Sequence, residues 1–336
     1  MAKSRTYLGM DGGATKMMVQ SIRIFDQYDF ACYNSYNYEI CYEEIPGWDK
    51  DFQPEDTQLQ RKLAQENNLN ISDSEKRQGN IIIETVQFCY QQALENHQVP
   101  SGVGLCFPGL KTEKKDGTVL LVNGPRIPDF VLQLRKKKIP IDHIYNDSDC
   151  CVIGEIREQS GALRNIQHGI YIGGGTGIAD GVVIDGNIAD FDEHDNLKRS
   201  WELTLPSGVS IESCLAPKCL IDEYNTTNLN NPIISLEALI NLAENKHPTA
   251  DKLITRAVEA MRILIKNRVK YIYNKTGQFC QKIVIGQRLA VALSSGGGKN
   301  IFMNKIHSVL SQDIPIFLST DRRTAALGAA WKAACS

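Results

Sequence analysis

At 336 residues, with 42% apolar and 23% charged content, the chain is long enough for two cored domains of an ordinary globular protein. Its formal net charge of -2 gives no general attraction to nucleic acid or to an anionic membrane surface. No stretch approaches a membrane span, and the N-terminus shows no signal-peptide core, so a cytoplasmic protein is expected. The ten cysteines are scattered through apolar segments such as Phe88-Cys89-Tyr90 and Leu105-Cys106-Phe107. They contain no CxxC pair and no zinc spacing, and read as buried thiols in a reducing compartment.

Strands are expected at 5–10 and 17–25, joined by Asp11-Gly12-Gly13-Ala14-Thr15-Lys16. Glycine lets backbone approach a bulky anion and aim N–H groups at it, while the Asp11 carboxylate can hold a hydrated Mg²⁺ beside that anion. The competing reading is a plain Asp-Gly-Gly hairpin. A third strand is expected near 28–34, and the Tyr-, Glu-, Asp- and Gln-rich stretch 36–62 reads as a long excursion, a flap over a site. Ser72-Asp73-Ser74-Glu75 is a capping box opening a helix to Asn96. Gly102 to Phe107 is a buried strand ending at Pro108-Gly109; a polar turn at 114–117 and a strand at 118–122 follow. In the Gly-Pro-Arg-Ile-Pro-Asp stretch beyond Asn123, Arg126 and Asp129 either contact a ligand or form a salt bridge with each other. The basic run Arg135 to Lys138 reads as a solvated helix end. A strand at 142–146 then stops at Asn146-Asp147-Ser148-Asp149, and a helix runs to about Gln159.

A second glycine turn, Gly173-Gly174-Gly175-Thr176-Gly177, lies between apolar strands ending and starting at Ile172 and Ile178. It is not a Walker A loop, since no Gly-Lys-Ser/Thr follows and the next element is a strand. Two such hairpins half a chain apart read as a duplicated phosphate clamp. After an acidic stretch from Asp190 to Asn196 the chain becomes helical, near 208–224, 234–246 and 249–275. A strand at 282–285 precedes Gly286, glycines 296–298 lie beyond it, and an Ala-rich helix covers Thr324 to Ala334. Strands followed by helices, twice over, predict two α/β lobes.

In this order the pieces resemble the actin-like ATPase superfamily of sugar kinases, most closely the ROK and glucokinase group. The Asp-Gly-Gly opening is also similar to N-acetylglucosamine kinases and the BadF/BadG ATPases. The resemblance implies a two-lobed actin-like (ribonuclease H-like) fold with an interlobe cleft. A small lobe would span 1–157 and 320–336, with a larger lobe at 158–319. It implies ATP contacts from Asp11, Gly12, Gly13, Ala14, Thr15 and Lys16, from Gly174, Gly175, Thr176 and Gly177, and from Gly286, Gly297 and Gly298. Asp147 would be the catalytic base and Asn146 would hold an adjacent hydroxyl. Asn123, Glu202 and Glu212 complete the expected acceptor contacts. The family's histidine and zinc cysteines are missing; Leu205 stands at the histidine position, so no structural zinc is expected and ordinary glucose specificity is in doubt.

Phosphoryl transfer needs positioning and charge neutralisation above all, and a carboxylate that takes the attacking hydroxyl's proton contributes about 10²–10⁴-fold. Asn146 and Asp147 as mere helix caps is the bland alternative; Asp149 is the rival base, and Trp201 is expected in the core. The activity expected is ATP- and Mg²⁺-dependent phosphorylation of a hexose, an amino sugar or a sugar-like cyclitol by a protein able to form a homodimer. A BadF/BadG-like ATPase and a non-catalytic sugar sensor are the alternatives. The scatter of cysteines argues against the first, and the short leader before Asp11 leaves no room for a repressor's helix-turn-helix.

Overall fold

An apolar run that meets a glycine turn and reverses gives the first hairpin of the computed structural model, β1 (Ser4–Gly12) and β2 (Lys16–Phe25), with Asp11 opposite Met18. Residues 3–66, 68–96, 99–191, 197–310 and 314–336 are described. The chain divides into two compact units, 1–161 with 323–336, and 162–322.

In the first unit β3 (Ala31–Cys41) extends the hairpin antiparallel to β2. The expected third strand is therefore longer than 28–34, and residues 36–41 belong to the sheet instead of a flap. Its Asn, Ser and Glu residues sit on an edge strand with one wet face, where polar side chains cost little. The rest of the excursion holds a single turn of 3₁₀ helix (Tyr42–Glu44) and α1 (Thr57–Gln65), capped by the Asp56 side chain. Then come α2 (Asp73–Asn96), β4 (Gly102–Phe107), the small pair β5 (Leu110–Lys111) and β6 (Thr118–Leu120), α3 (Phe130–Lys136), β7 (Ile144–Asn146) and α4 (Asp147–Arg157). The main sheet has the order β3-β2-β1-β4-β7, with β1, β4 and β7 parallel.

Ser72 Oγ accepts from Glu75 N at 3.1 Å, as a capping box requires. The Glu75 carboxylate, however, turns away to Arg126, taking Nε and Nη2 at 2.7 Å each and the backbone N–H at 2.9 Å. Both side chains are buried. This corrects the expected Arg126–Asp129 pairing: Asp129 instead accepts from Gln133. Arg135 and Lys136 do end α3 in solvent.

The second unit repeats the strand plan. Strands β8 (Gly169–Gly174), β9 (Ile178–Ile184) and β10 (Asn187–Ile188) are antiparallel; β11 (Lys282–Gly286) and β12 (Ile316–Leu318) run parallel beside β8, in the order β10-β9-β8-β11-β12. Its helices are α5 (Ile211–Leu215), α6 (Pro217–Thr227), α7 (Leu236–Glu244), α8 (Pro248–Thr276), α9 (Gln287–Gly298) and α10 (Ile301–Val309). The single helix expected over 208–224 is thus two, because Pro217 cannot continue a helix that Ala216 would have to carry. A core of Ile, Leu and Ala from α7, α8 and α9 packs on β8 and β11.

The last helix, α11 (Thr324–Cys335), returns to the first unit and lies directly on its sheet. A Cβ on Gly9 would sit 1.7 Å from the Ala326 carbonyl oxygen, and one on Gly104 1.9 Å from that of Ala329. Only glycine permits that approach. Among the described residues no helix is long and apolar enough to cross a membrane.

Candidate active site

Three parallel strands of the first unit end side by side, and such carboxyl ends are where open α/β sheets gather ligands. Asp11 on β1 is beside Cys106 on β4, and Phe107 on β4 is beside Asn146 on β7. The turn after Asp11 is closed by Gly13 N donating to Lys16 O at 2.8 Å, and Tyr42 N donates to Thr15 O at 2.9 Å. Lys16 Nζ donates to Glu39 Oε2 at 2.6 Å. Cys106 Sγ donates to Asp11 Oδ1 at 3.4 Å. Burial, and then the charge of Asp147, push the Asp11 carboxyl up to about 7. Burial likewise raises the Cys106 thiol well above its usual range, so it stays protonated and donates.

Asp147 opens α4. Its N-cap, Asn146, makes no capping hydrogen bond with its side chain, and Asp147 Oδ1 accepts from the adjacent Ser148 N at 2.9 Å. The capping alternative for Asn146 therefore has no bond to stand on. Asp149 lies two residues further along, in the same first turn of the helix. Asn123 is exposed in the turn after β6.

In the second unit the hairpin turn is drawn tight by Gly175 N donating to Gly177 O at 2.9 Å, and Lys218 N at the start of α6 donates to Gly175 O at 3.1 Å. Glu212 on α5 accepts from Ile178 N at 3.1 Å through Oε2, which also lies 3.2 Å from where a Gly177 Cβ would be. Its carboxylate is a brace beneath the turn. Gly286 pairs in register with Gly173, so β11 ends against the same turn. At the end of α9, Gly296, Gly297 and Gly298 take φ of 60°, 69° and 74°, a left-handed run open to glycine alone at low strain. Asn300 holds this bend by donating to the carbonyls of Ala292 and Leu293 while accepting from Met303 N. Glu202 is exposed and accepts from Arg199 N at 2.7 Å. Trp201 is 45% exposed with the Arg199 guanidinium 5.3 Å from its ring, which corrects its expected place in the core.

No family model matches the sequence, and no curated protein matches it. Solved structures do. A ROK hexokinase from Thermus thermophilus is 16% identical over 98% of each chain, with a TM-score of 0.64. A ROK family glucokinase from Streptomyces griseus, in complex with glucose and AMPPNP, is 13% identical over 98% of this chain and 100% of its own, with a TM-score of 0.62. A ROK family transcriptional regulator, homologue of the E. coli MLC protein, is 14% identical over 97% of this chain and 76% of its own, with a TM-score of 0.59. The fold is the one these ROK proteins share. The α/β, actin-like fold expected from the sequence is thereby found.

Within this ROK fold the first unit brings together Asp11, Gly12, Gly13, Ala14, Thr15, Lys16, Asn146 and Asp147, while the second brings together Gly174, Gly175, Thr176, Gly177, Gly286 and Glu212. Gly297 and Gly298 stand at the far end of α9, and Glu202 in the turn before α5. Sequence reading passes over Lys111, whose Nζ reaches the carbonyls of the turn leaving β4. A lysine two residues beyond Pro-Gly, at the end of a buried strand, was the available signal. Among the described residues no group of three or more His, Cys, Asp or Glu could hold a metal. Asp11 and Asp147 are nevertheless a carboxylate pair whose repulsion a divalent cation would relieve.

Proposed function

We propose that this protein is an ATP-dependent kinase that phosphorylates a hydroxyl of a hexose, an amino sugar or a sugar-like cyclitol. One observation carries the reading: Asp147 opens α4 at the joined ends of three parallel strands, close enough to Asp11 to raise its proton affinity. Asp147 accepts the hydrogen bond of the acceptor hydroxyl and takes its proton as the oxygen bonds to the γ-phosphorus. The bond from that phosphorus to the bridging oxygen breaks, and ADP leaves. Asn146 orients a neighbouring hydroxyl. Asp11 would hold a hydrated Mg²⁺, which supplies neutralisation of the phosphate charge. Backbone N–H groups of the two glycine turns bind phosphate oxygens, with Thr15, Lys16 and Thr176 as side-chain donors.

The glucose and AMPPNP held by the Streptomyces griseus neighbour support a sugar acceptor and an adenine nucleotide donor. A second reading, a sugar sensor without turnover, has its support in the regulator that shares the fold. Measuring ADP release against a panel of hexoses, N-acetylhexosamines and cyclitols decides between them. Turnover with any acceptor upholds the kinase, whereas calorimetric sugar binding with no ADP released selects the sensor.

A further inference from the structure

Lys111 ends β5, two residues after the Phe107-Pro108-Gly109 turn. Its Nζ donates to the carbonyl oxygens of Phe107 at 2.7 Å, Pro108 at 3.3 Å and Gly109 at 2.7 Å. An ammonium has three N–H donors, and these carbonyls occupy all of them. It has none left for an acceptor, so its role is to hold the turn. Three successive carbonyl dipoles converge there on one cation. Gly109 has φ of 86°, and a Cβ on it would come within 2.2 Å of Leu120 O, which leaves the turn little room to find other partners. The turn leaves β4 immediately after Cys106 and Phe107, which lie beside Asp11 and Asn146.

We propose that Lys111 is a positioning residue of the phosphoryl-transfer site, its ammonium tying the Phe107–Gly109 turn and setting a fixed positive charge within electrostatic reach of Asp147. This rests on the reading of Asp147 as the base. The titratable groups that face Lys111 are Cys106 from β4 and Asp147, Asp149 and Cys150 from α4. Burial lowers the Lys111 ammonium to about 8, against the pull of the Asp147 and Asp149 carboxylates toward the charged form. Below that pH three donors bind three carbonyls. Above it a neutral amine has two donors and turns a lone pair toward a carbonyl, and the positive charge beside Asp147 is gone. Turnover therefore falls as pH rises through about 8.

The test is kcat and KM against pH for the wild type, Lys111→Arg and Lys111→Met, with the best acceptor from the panel. The wild type is expected to lose kcat with a midpoint near pH 8. Lys111→Arg, charged throughout, keeps turnover and loses that limb. Lys111→Met drops kcat about 10²-fold at neutral pH with KM for ATP little changed. A limb that survives in Lys111→Arg, or wild-type kcat in Lys111→Met, overturns the proposal. Should Lys111→Met fail to fold, the Nζ resonance of the wild-type protein, assigned by its loss in Lys111→Arg, carries the test in a ¹H–¹⁵N titration. Slow exchange of that ammonium's protons with solvent below the midpoint supports the tie, and exchange as fast as a surface lysine's overturns it. The resonance reports whether or not the protein phosphorylates anything. Slow exchange without kinase activity would keep the tie and remove the reading of Asp147.

Discussion

The β1–β2 hairpin carries Asp11 and Lys16 at its turn, whereas the β8–β9 turn consists of glycines and Thr176 and draws its carboxylate, Glu212, from a neighbouring helix. Both sheets have the same strand plan, so the two turns occupy equivalent places in their units. The first carries charged side chains, and a carboxyl raised to about 7 makes that turn sensitive to protons. In the second, the turn carries no charged side chain and its Gly175 N–H donates to Gly177 O, so the turn is sensitive to shape. A duplicated frame has thus been given one electrostatic half and one steric half.

The comparison can be broken most decisively at the electrostatic half. Asp147→Asn is expected to lower kcat by about 10²–10⁴-fold while calorimetry still detects ATP and sugar binding. Unchanged turnover would remove Asp147 as the base while leaving the kinase in place. At the steric half, Gly177→Val drives a side chain toward Glu212 Oε2, already 3.2 Å from the Cβ position. KM for ATP should rise about 10-fold or more, on the order of 1.4 kcal/mol; a variant with wild-type KM and kcat would show that this turn does not grip the nucleotide. Glu212→Ala leaves Ile178 N–H without its acceptor from α5, at a cost of about 1–3 kcal/mol, seen as a lower melting temperature in calorimetry.

The smallest effect separates the halves by pH. Asp11 has its proton affinity raised on folding from 3.8 to about 7, so the folded state holds the proton that the unfolded chain releases. Stability from this group falls as pH rises between those values, and the full penalty remains above 7. Asp11→Asn should therefore raise the melting temperature at pH 8 by a few degrees, leave it unchanged near pH 3, and abolish activity. A lower melting temperature at pH 8 would contradict the burial of that carboxyl, and no comparable pH response is expected from Gly177→Val.

The hairpins, the buried strand at 102–107 and the closing helix are legible in the sequence because each is declared by a local run of apolar residues and a turn residue at its end. What escapes it depends on distant partners. Arg126 could not be matched to Glu75 across 51 positions, and the capping-box signal pointed Glu75 at its own helix instead. Residues 36–41 look like loop because an edge strand pairs on one side and keeps a wet face. Trp201 looks like core until Arg199 is seen over its ring. Pro217 is a local signal that the expectation of one helix overrode. In the candidate site, Asp11, Asn146 and Asp147 are readable from motifs, whereas the proposed part of Lys111 emerges only when its three carbonyls are seen to converge.

The glycine seats for α11 have a temporal consequence. In synthesis, all of residues 162–322 are made before the helix that closes the first unit. Until that last segment is made and docks, β1 and β4 expose the grooves at Gly9 and Gly104. The unit begun first is thus the last to be sealed.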